Sequence, residues 1–141
     1  MGESLTIEVP NAQDAIAPAT EEAERWLEAH EVPTKAIYLA LLAIEELVTN
    51  CINYGYDDTA EHTIRIEFGL ADGAMTMEVV DDGHEFDPLN APEPDLSVEL
   101  EDRPVGGLGI HMLRKLADEM AYERVDGKNR VKLVKRSEST E

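Results

Sequence analysis

Ile37, Leu41, Ile44, Val48 and Cys51 recur at spacings of four, three, four and three residues, the period at which one face of an α-helix repeats. The stripe predicts a helix from about Pro33 to Tyr54 that is buried along one side, so the chain must wrap a core around it. At about 100° per residue, Glu46, Asn50 and Asn53 fall within about 60° of one another on the opposite side. One carboxylate and two carboxamides then point in one direction. On an arbitrary helix such a set is simply a solvent face.

The flanking sequence supplies the rest of the architecture. Leu5, Ile7 and Val9 alternate with polar residues and predict a short strand ended by Pro10. Asn11 to about His30 reads as a helix capped by Asn11, with Pro18 in its first half. Thr63 to Phe68 and Met75 to Val79 alternate on either side of Asp72-Gly73, which predicts an antiparallel hairpin. Asp87 to Pro104 holds Pro88, Pro92, Pro94 and Pro104 and reads as a loop or lid. Gly106-Gly107-Leu108-Gly109 then opens a helix whose Ile110, Leu113, Leu116 and Ala117 share a face. Met120–Val125 and Arg130–Lys135 form a last hairpin turning at Asp126-Gly127, and 136–141 is a frayed tail. This order predicts an α+β two-layer sandwich, with helices on one face of a mixed or antiparallel sheet. Residues 1–141 are read as one domain, large enough to hold a core without metal or disulfides.

Composition narrows the partners. With 31 acidic and 12 basic side chains the net charge is −19, which opposes general binding to phosphate backbones or anionic lipid. No run of about 20 apolar residues is evident, and Met1 to Pro10 lacks a secretory pattern, so the expected place is the cytoplasm. Cys51 has no disulfide partner, and it forms no zinc-spaced cluster with His30, His62, His84 or His111. Cys51, Trp26 and Met112 are read as core, and His84 and His111 as local polar contacts. The acidity fits a salty cytoplasm or charge steering of partners equally well. Arg114 to Arg136 is the exception, with eight basic against four acidic side chains.

Three local clusters could carry chemistry. Glycines at a helix start let backbone N–H groups approach an anion, and Gly106 to Gly109 fits that or a plain tight turn. A carboxylate at a strand end with glycine two residues on, as in Asp81-Asp82-Gly83, can accept a hydrogen bond from an exocyclic amine beside a flat ring, or be an ordinary turn. Asn50 offers a hard oxygen to magnesium, and Glu46, one turn earlier, a base.

Taken in order, these residues resemble a known family. Glu46-Leu47-Val48-Thr49-Asn50, Asp81-Asp82-Gly83 and Gly106-Gly107-Leu108-Gly109 look like the N box, the adenine box and the phosphate box of the GHKL ATPase superfamily. With Tyr54-Gly55-Tyr56, His84 to Pro88, Asp118-Glu119 and Tyr122 added, the match from Glu8 to Arg136 is to the anti-sigma factor serine/threonine kinases. The resemblance implies a Bergerat-type ATP-binding fold in which Asn50 binds magnesium, Asp81 reads the adenine amine and Gly83 lets the ring approach. Gly107 and Gly109 would contact phosphates, Arg103 the γ-phosphate, and Glu46 would be the general base. It further implies ATP and Mg2+ as cofactors, transfer of phosphate to a serine of a STAS-type anti-anti-sigma factor, capture of a sigma factor, and a homodimer. An alternative is a partner-switching module gated by ATP without significant kinase activity. The wider superfamily has a second glycine where this chain has Glu85, and its histidine kinases and chaperones carry additional domains.

Overall fold

The structure is a computed structural model that describes residues 2–56, 60–90 and 107–136. Among these residues five strands form one sheet: β1 (Glu3–Pro10), β2 (Thr63–Ala71), β3 (Ala74–Asp81), β4 (Glu119–Val125) and β5 (Lys128–Arg136). Their order is β1-β2-β3-β5-β4, and every neighbouring pair is antiparallel, which resolves the mixed-or-antiparallel alternative. Both hairpins turn where the sequence places them. Asp72 and Gly73 have φ of 54° and 74°, and Asp126 and Gly127 of 55° and 76°, the left-handed pair that a tight two-residue hairpin requires.

Helices cover one face of the sheet. A 3-10 turn (Gln13–Ala15) leads into α1 (Ile16–Ala29). The long central helix runs through α2 (Thr34–Ala43), a π-helical turn (Ile44–Val48) and α3 (Thr49–Tyr54), and α4 (Gly107–Leu116) follows the sheet's first hairpin. α2 touches both α1 and α4. Beneath them, Ile64, Ile66, Met77, Val79 and Leu133 alternate toward a core in which Leu27, Leu39 and Ile44 have no exposed surface, the one-sided burial of an antiparallel sheet. The other sheet face is polar: Arg130 bonds Glu78 at 2.5 Å across β5 and β3, and Arg65 pairs with Glu67 at 2.9 Å.

Several expectations need correction. Ile37 and Leu41 are only half-buried, while Ala36, Leu39, Ala40 and Ala43 are buried. The core face is centred one residue earlier than the aliphatic stripe because small alanines allow close helix approach. Asn11 does not cap α1. Its side-chain oxygen accepts from the His62 backbone N–H at 3.0 Å, the helix starts at Ile16, and no side chain caps it. Pro18 sits in that first turn, where its missing N–H costs nothing. Gly107 opens α4 as the sequence places it, and Gly109 lies inside its first turn rather than before the helix. The stretch Thr34–Tyr54 is a 21-residue helix that meets a membrane span's length and composition, contrary to the sequence reading, yet it packs Leu39, Ile44 and Val48 wholly into the core. Trp26 and Met112 are half-buried rather than central.

Candidate functional site

Asp81 ends β3 on the core side, where alternation has just placed Met77 and Val79, and is 8% exposed. A buried carboxylate needs donors, and three elements provide them. The Gly83 N–H and the Asn129 amide donate to Oδ1 at 2.9 and 3.0 Å, and the Cys51 thiol donates to Oδ2 at 3.2 Å. Burial, and then the Asp81 charge, push the Cys51 thiol well above its ordinary range, so it remains a donor. Cys51 is therefore a polar wall residue as well as a core neighbour.

In front of Asp81 lies a cavity of about 230 Å³. Leu47, Val79 and Val131 form an apolar wall, Asn50 and Asn129 contribute carboxamides, and Tyr54 and Phe86 stand at its rim, 57% and 47% exposed. Pro88, in the 3-10 turn Pro88–Asn90, closes another side. An apolar slot with few convergent polar groups is the usual form of a small-molecule site.

The predicted helix trio separates. Asn50 lines the cavity, and among the described residues its side chain has no hydrogen-bond partner. Asn53, one turn on, is exposed and accepts from Gln13 at 2.9 Å, outside the cavity. Glu46 lies against Gly109 of α4, whose Cβ, were there one, would overlap the Glu46 carboxylate. The π-turn spanning Glu46 adds a residue to the helical repeat, so a regular helical wheel loses register there. Burial, with Glu45 beside it, raises the Glu46 pKa above its ordinary value, the direction that suits a proton acceptor near neutral pH.

Gly83 has a structural reason to be glycine apart from any ligand. A Cβ there would sit 2.5 Å from the backbone oxygen of Gly55, where the end of α3 crosses the loop after β3. The His84 N–H donates to that same oxygen at 2.8 Å. Arg103 and Gly106 lie outside the described residues, as does most of the expected 87–104 loop; Gly107 begins α4.

Sequence reasoning missed Asn129. It is 4% exposed and pairs with Asp81 in the β3–β5 register. The signal was present: Asn129 shares strand parity with Val131 and Leu133, so extending the predicted strand back by one residue places it on the core face.

With this geometry in view, comparisons with known proteins carry weight. Residues 9–135 match the family described as histidine kinase-like ATPase domain. The serine/threonine-protein kinase BtrW of Bordetella bronchiseptica is 25% identical over 96 residues, which are 68% of this chain and 68% of that one. The serine-protein kinase RsbW of Bacillus thuringiensis is 32% identical over 61% of this chain and 56% of its own length. The anti-sigma F factor of Thermoanaerobacter sp. is 31% identical over 61% and 59%. The match thus spans little more than half of the last two relatives. The solved structure of the RsbU and RsbW domains of Rv1364c from Mycobacterium tuberculosis superposes on 95% of this chain and 32% of that chain, with a TM-score of 0.68 and 21% identity, which is a likeness of fold. Matched over nearly its whole length by the family pattern, with that fold and a buried strand-end aspartate facing an apolar cavity, the chain belongs to the histidine kinase-like ATPase domain family.

Proposed function

We propose that this chain is an ATP-dependent protein serine kinase of the anti-sigma type, which phosphorylates a STAS-type anti-anti-sigma factor and, in its other engagement, holds a sigma factor. The observation that carries the reading is Asp81: three donors fix its carboxylate, which heads the apolar cavity. A carboxylate so held accepts a hydrogen bond from an adenine amine, while Leu47, Val79 and Val131 offer faces to the ring. Relatives named serine-protein kinase and anti-sigma factor support the same reading.

The Asn50 carboxamide, which has no hydrogen-bond partner among the described residues, fits a magnesium ligand, since a hard cation takes few protein oxygens beside phosphates. Magnesium would neutralise charge on the phosphates. Gly107 and Gly109 lie at the start of α4, where a helix favours an anion, and Arg103 is proposed as a γ-phosphate contact. In the transfer, the serine oxygen bonds to the γ-phosphorus, the bond to ADP breaks, and the serine proton passes to Glu46. The reading also carries a homodimer acting in the cytoplasm, without contact to nucleic acid or membrane.

One observation favours the alternative of an ATP-gated binding module. Glu46 packs on Gly109 and is not among the residues that line the cavity. Incubation with Mg-ATP and a cognate STAS protein separates the two. Stoichiometric, acid-stable phosphoserine that Glu46→Gln abolishes supports the kinase; nucleotide-dependent partner exchange without phosphoserine supports the module.

A further inference from the structure

Asn129 uses its whole hydrogen-bonding capacity. Its amide nitrogen donates to Asp81 Oδ1 at 3.0 Å and to the His84 carbonyl at 2.7 Å. Its oxygen accepts from the Phe86 N–H at 3.2 Å and from the Tyr122 hydroxyl at 2.6 Å. Each partner on the nitrogen side can only accept, and the backbone partner on the oxygen side can only donate, so the carboxamide has one orientation that satisfies all four. The residue is 4% exposed and sits at the start of β5, opposite Asp81 in register. A second tie from the same hairpin reaches this loop: Arg124 donates to the Gly83 carbonyl at 2.8 Å.

These contacts join three things that sequence separates: the carboxylate at the end of β3, the loop from Gly83 to Phe86 that carries one rim of the cavity, and the last hairpin. Asp81 Oδ1 is occupied by Gly83 and Asn129, so Oδ2, beside the Cys51 thiol, is the oxygen left for a base. Without Asn129 the carboxylate keeps only the Gly83 N–H on Oδ1 and the weaker Cys51 thiol on Oδ2, and its orientation about the last bond is held less firmly. A rotated carboxylate still carries charge but no longer presents one oxygen in a fixed direction.

We propose that Asn129, held by Tyr122, is the positioning residue for base selectivity: it locks the Asp81 carboxylate so that nucleotides with an exocyclic amine are preferred over those with a carbonyl at that place. This rests on the reading of the cavity as a nucleotide site. A merely structural Asn129 would instead lower stability and weaken every nucleotide alike.

The test is equilibrium titration of the full chain with Mg-ATP and Mg-ITP, which differ in that the amine of adenine is a carbonyl in hypoxanthine. In the parent, ATP binds more tightly than ITP. Asn129→Ala reduces the ATP-to-ITP affinity ratio by about tenfold, equivalent to about 1.4 kcal/mol, with ITP affinity little changed. Tyr122→Phe, which leaves the half-buried ring in place, reduces the ratio by about two- to threefold and decides the matter if Asn129→Ala does not fold. A ratio unchanged in the folded variants overturns the role of Asn129 while leaving the nucleotide site intact. A parent that binds both nucleotides equally overturns this inference alone, and one that binds neither overturns the site reading and this inference with it.

Discussion

Gly109 and Glu46 show how one missing methyl group can matter to chemistry more than to folding. A Cβ at 109 would overlap Glu46 Oε1, Cδ and Cγ, so the Glu46 side chain must move from its Cγ outward, a cost that offsets the preference for alanine over glycine inside a helix of about 1 kcal/mol. Gly109→Ala therefore changes the melting temperature little, yet lowers phosphoserine formation by about 10²-fold, the scale of a lost general base. Unchanged transfer would remove Glu46 from the reaction. The raised Glu46 pKa, caused first by burial and then by Glu45, fixes a sign for pH. Burial opposes the ionised form, so Glu46 costs the fold stability as pH rises past its unfolded pKa and up through its folded one. Glu46→Gln is accordingly more stable than the parent at neutral pH, and the gap closes in acid where both side chains are neutral. Thermal unfolding against pH checks this; a parent more stable than the variant at pH 7 contradicts it. Asp81, Asn50 and Glu46 were legible as residue types at telling positions. Their separation into a cavity group and an α4 contact was not, because the π-turn changes the helical repeat and no local pattern announces it.

At the scale of elements, local chemistry was readable and long-range pairing was not. Asp72-Gly73 and Asp126-Gly127 supply the positive φ values that their hairpins demand, a requirement met within two residues. The pairing of β3 with β5 joins segments separated by the loop and α4, and nothing in either strand alone specifies it. Asn129 was lost for that reason: its partner is Asp81, 48 residues away. The start of α1 failed differently. Asn11 is a good cap by type, but its oxygen is taken by His62. Ala12 has the extended backbone of a cap, φ −133° and ψ 139°, and makes no side-chain cap bond. Ala12→Ser supplies the missing acceptor and stabilises the protein by about 1 kcal/mol, a rise of several degrees in melting temperature. No rise would mean that the N–H groups of this turn are already satisfied by water.

The whole molecule is a sheet with one charged face, a helical layer over the other, and a cavity where the end of α3, the loop after β3 and the start of β5 meet. The order of the elements along the sequence had indicated the layer arrangement, since one-sided strands and helices with one apolar stripe bury those faces against each other. A net charge of −19 on 141 residues implies self-repulsion that salt screens, because the screening length falls from about 10 Å at 0.1 M to about 3 Å at 1 M. Melting temperature should therefore rise by several degrees between those salt levels in a non-denaturing salt such as KCl. A fall would mean that the paired charges of the sheet face, such as Arg130 with Glu78, outweigh the excess.

The central claim is that the Asp81 cavity binds ATP. Its most direct test is thermal unfolding of the parent and of Asp81→Ala, each with and without Mg-ATP in excess. Ligand at about 100 times its dissociation constant adds about 2.7 kcal/mol, so the parent melts several degrees higher with nucleotide while Asp81→Ala shows little or no shift. Equal shifts in the two proteins, or none in the parent at millimolar ATP, would contradict the account.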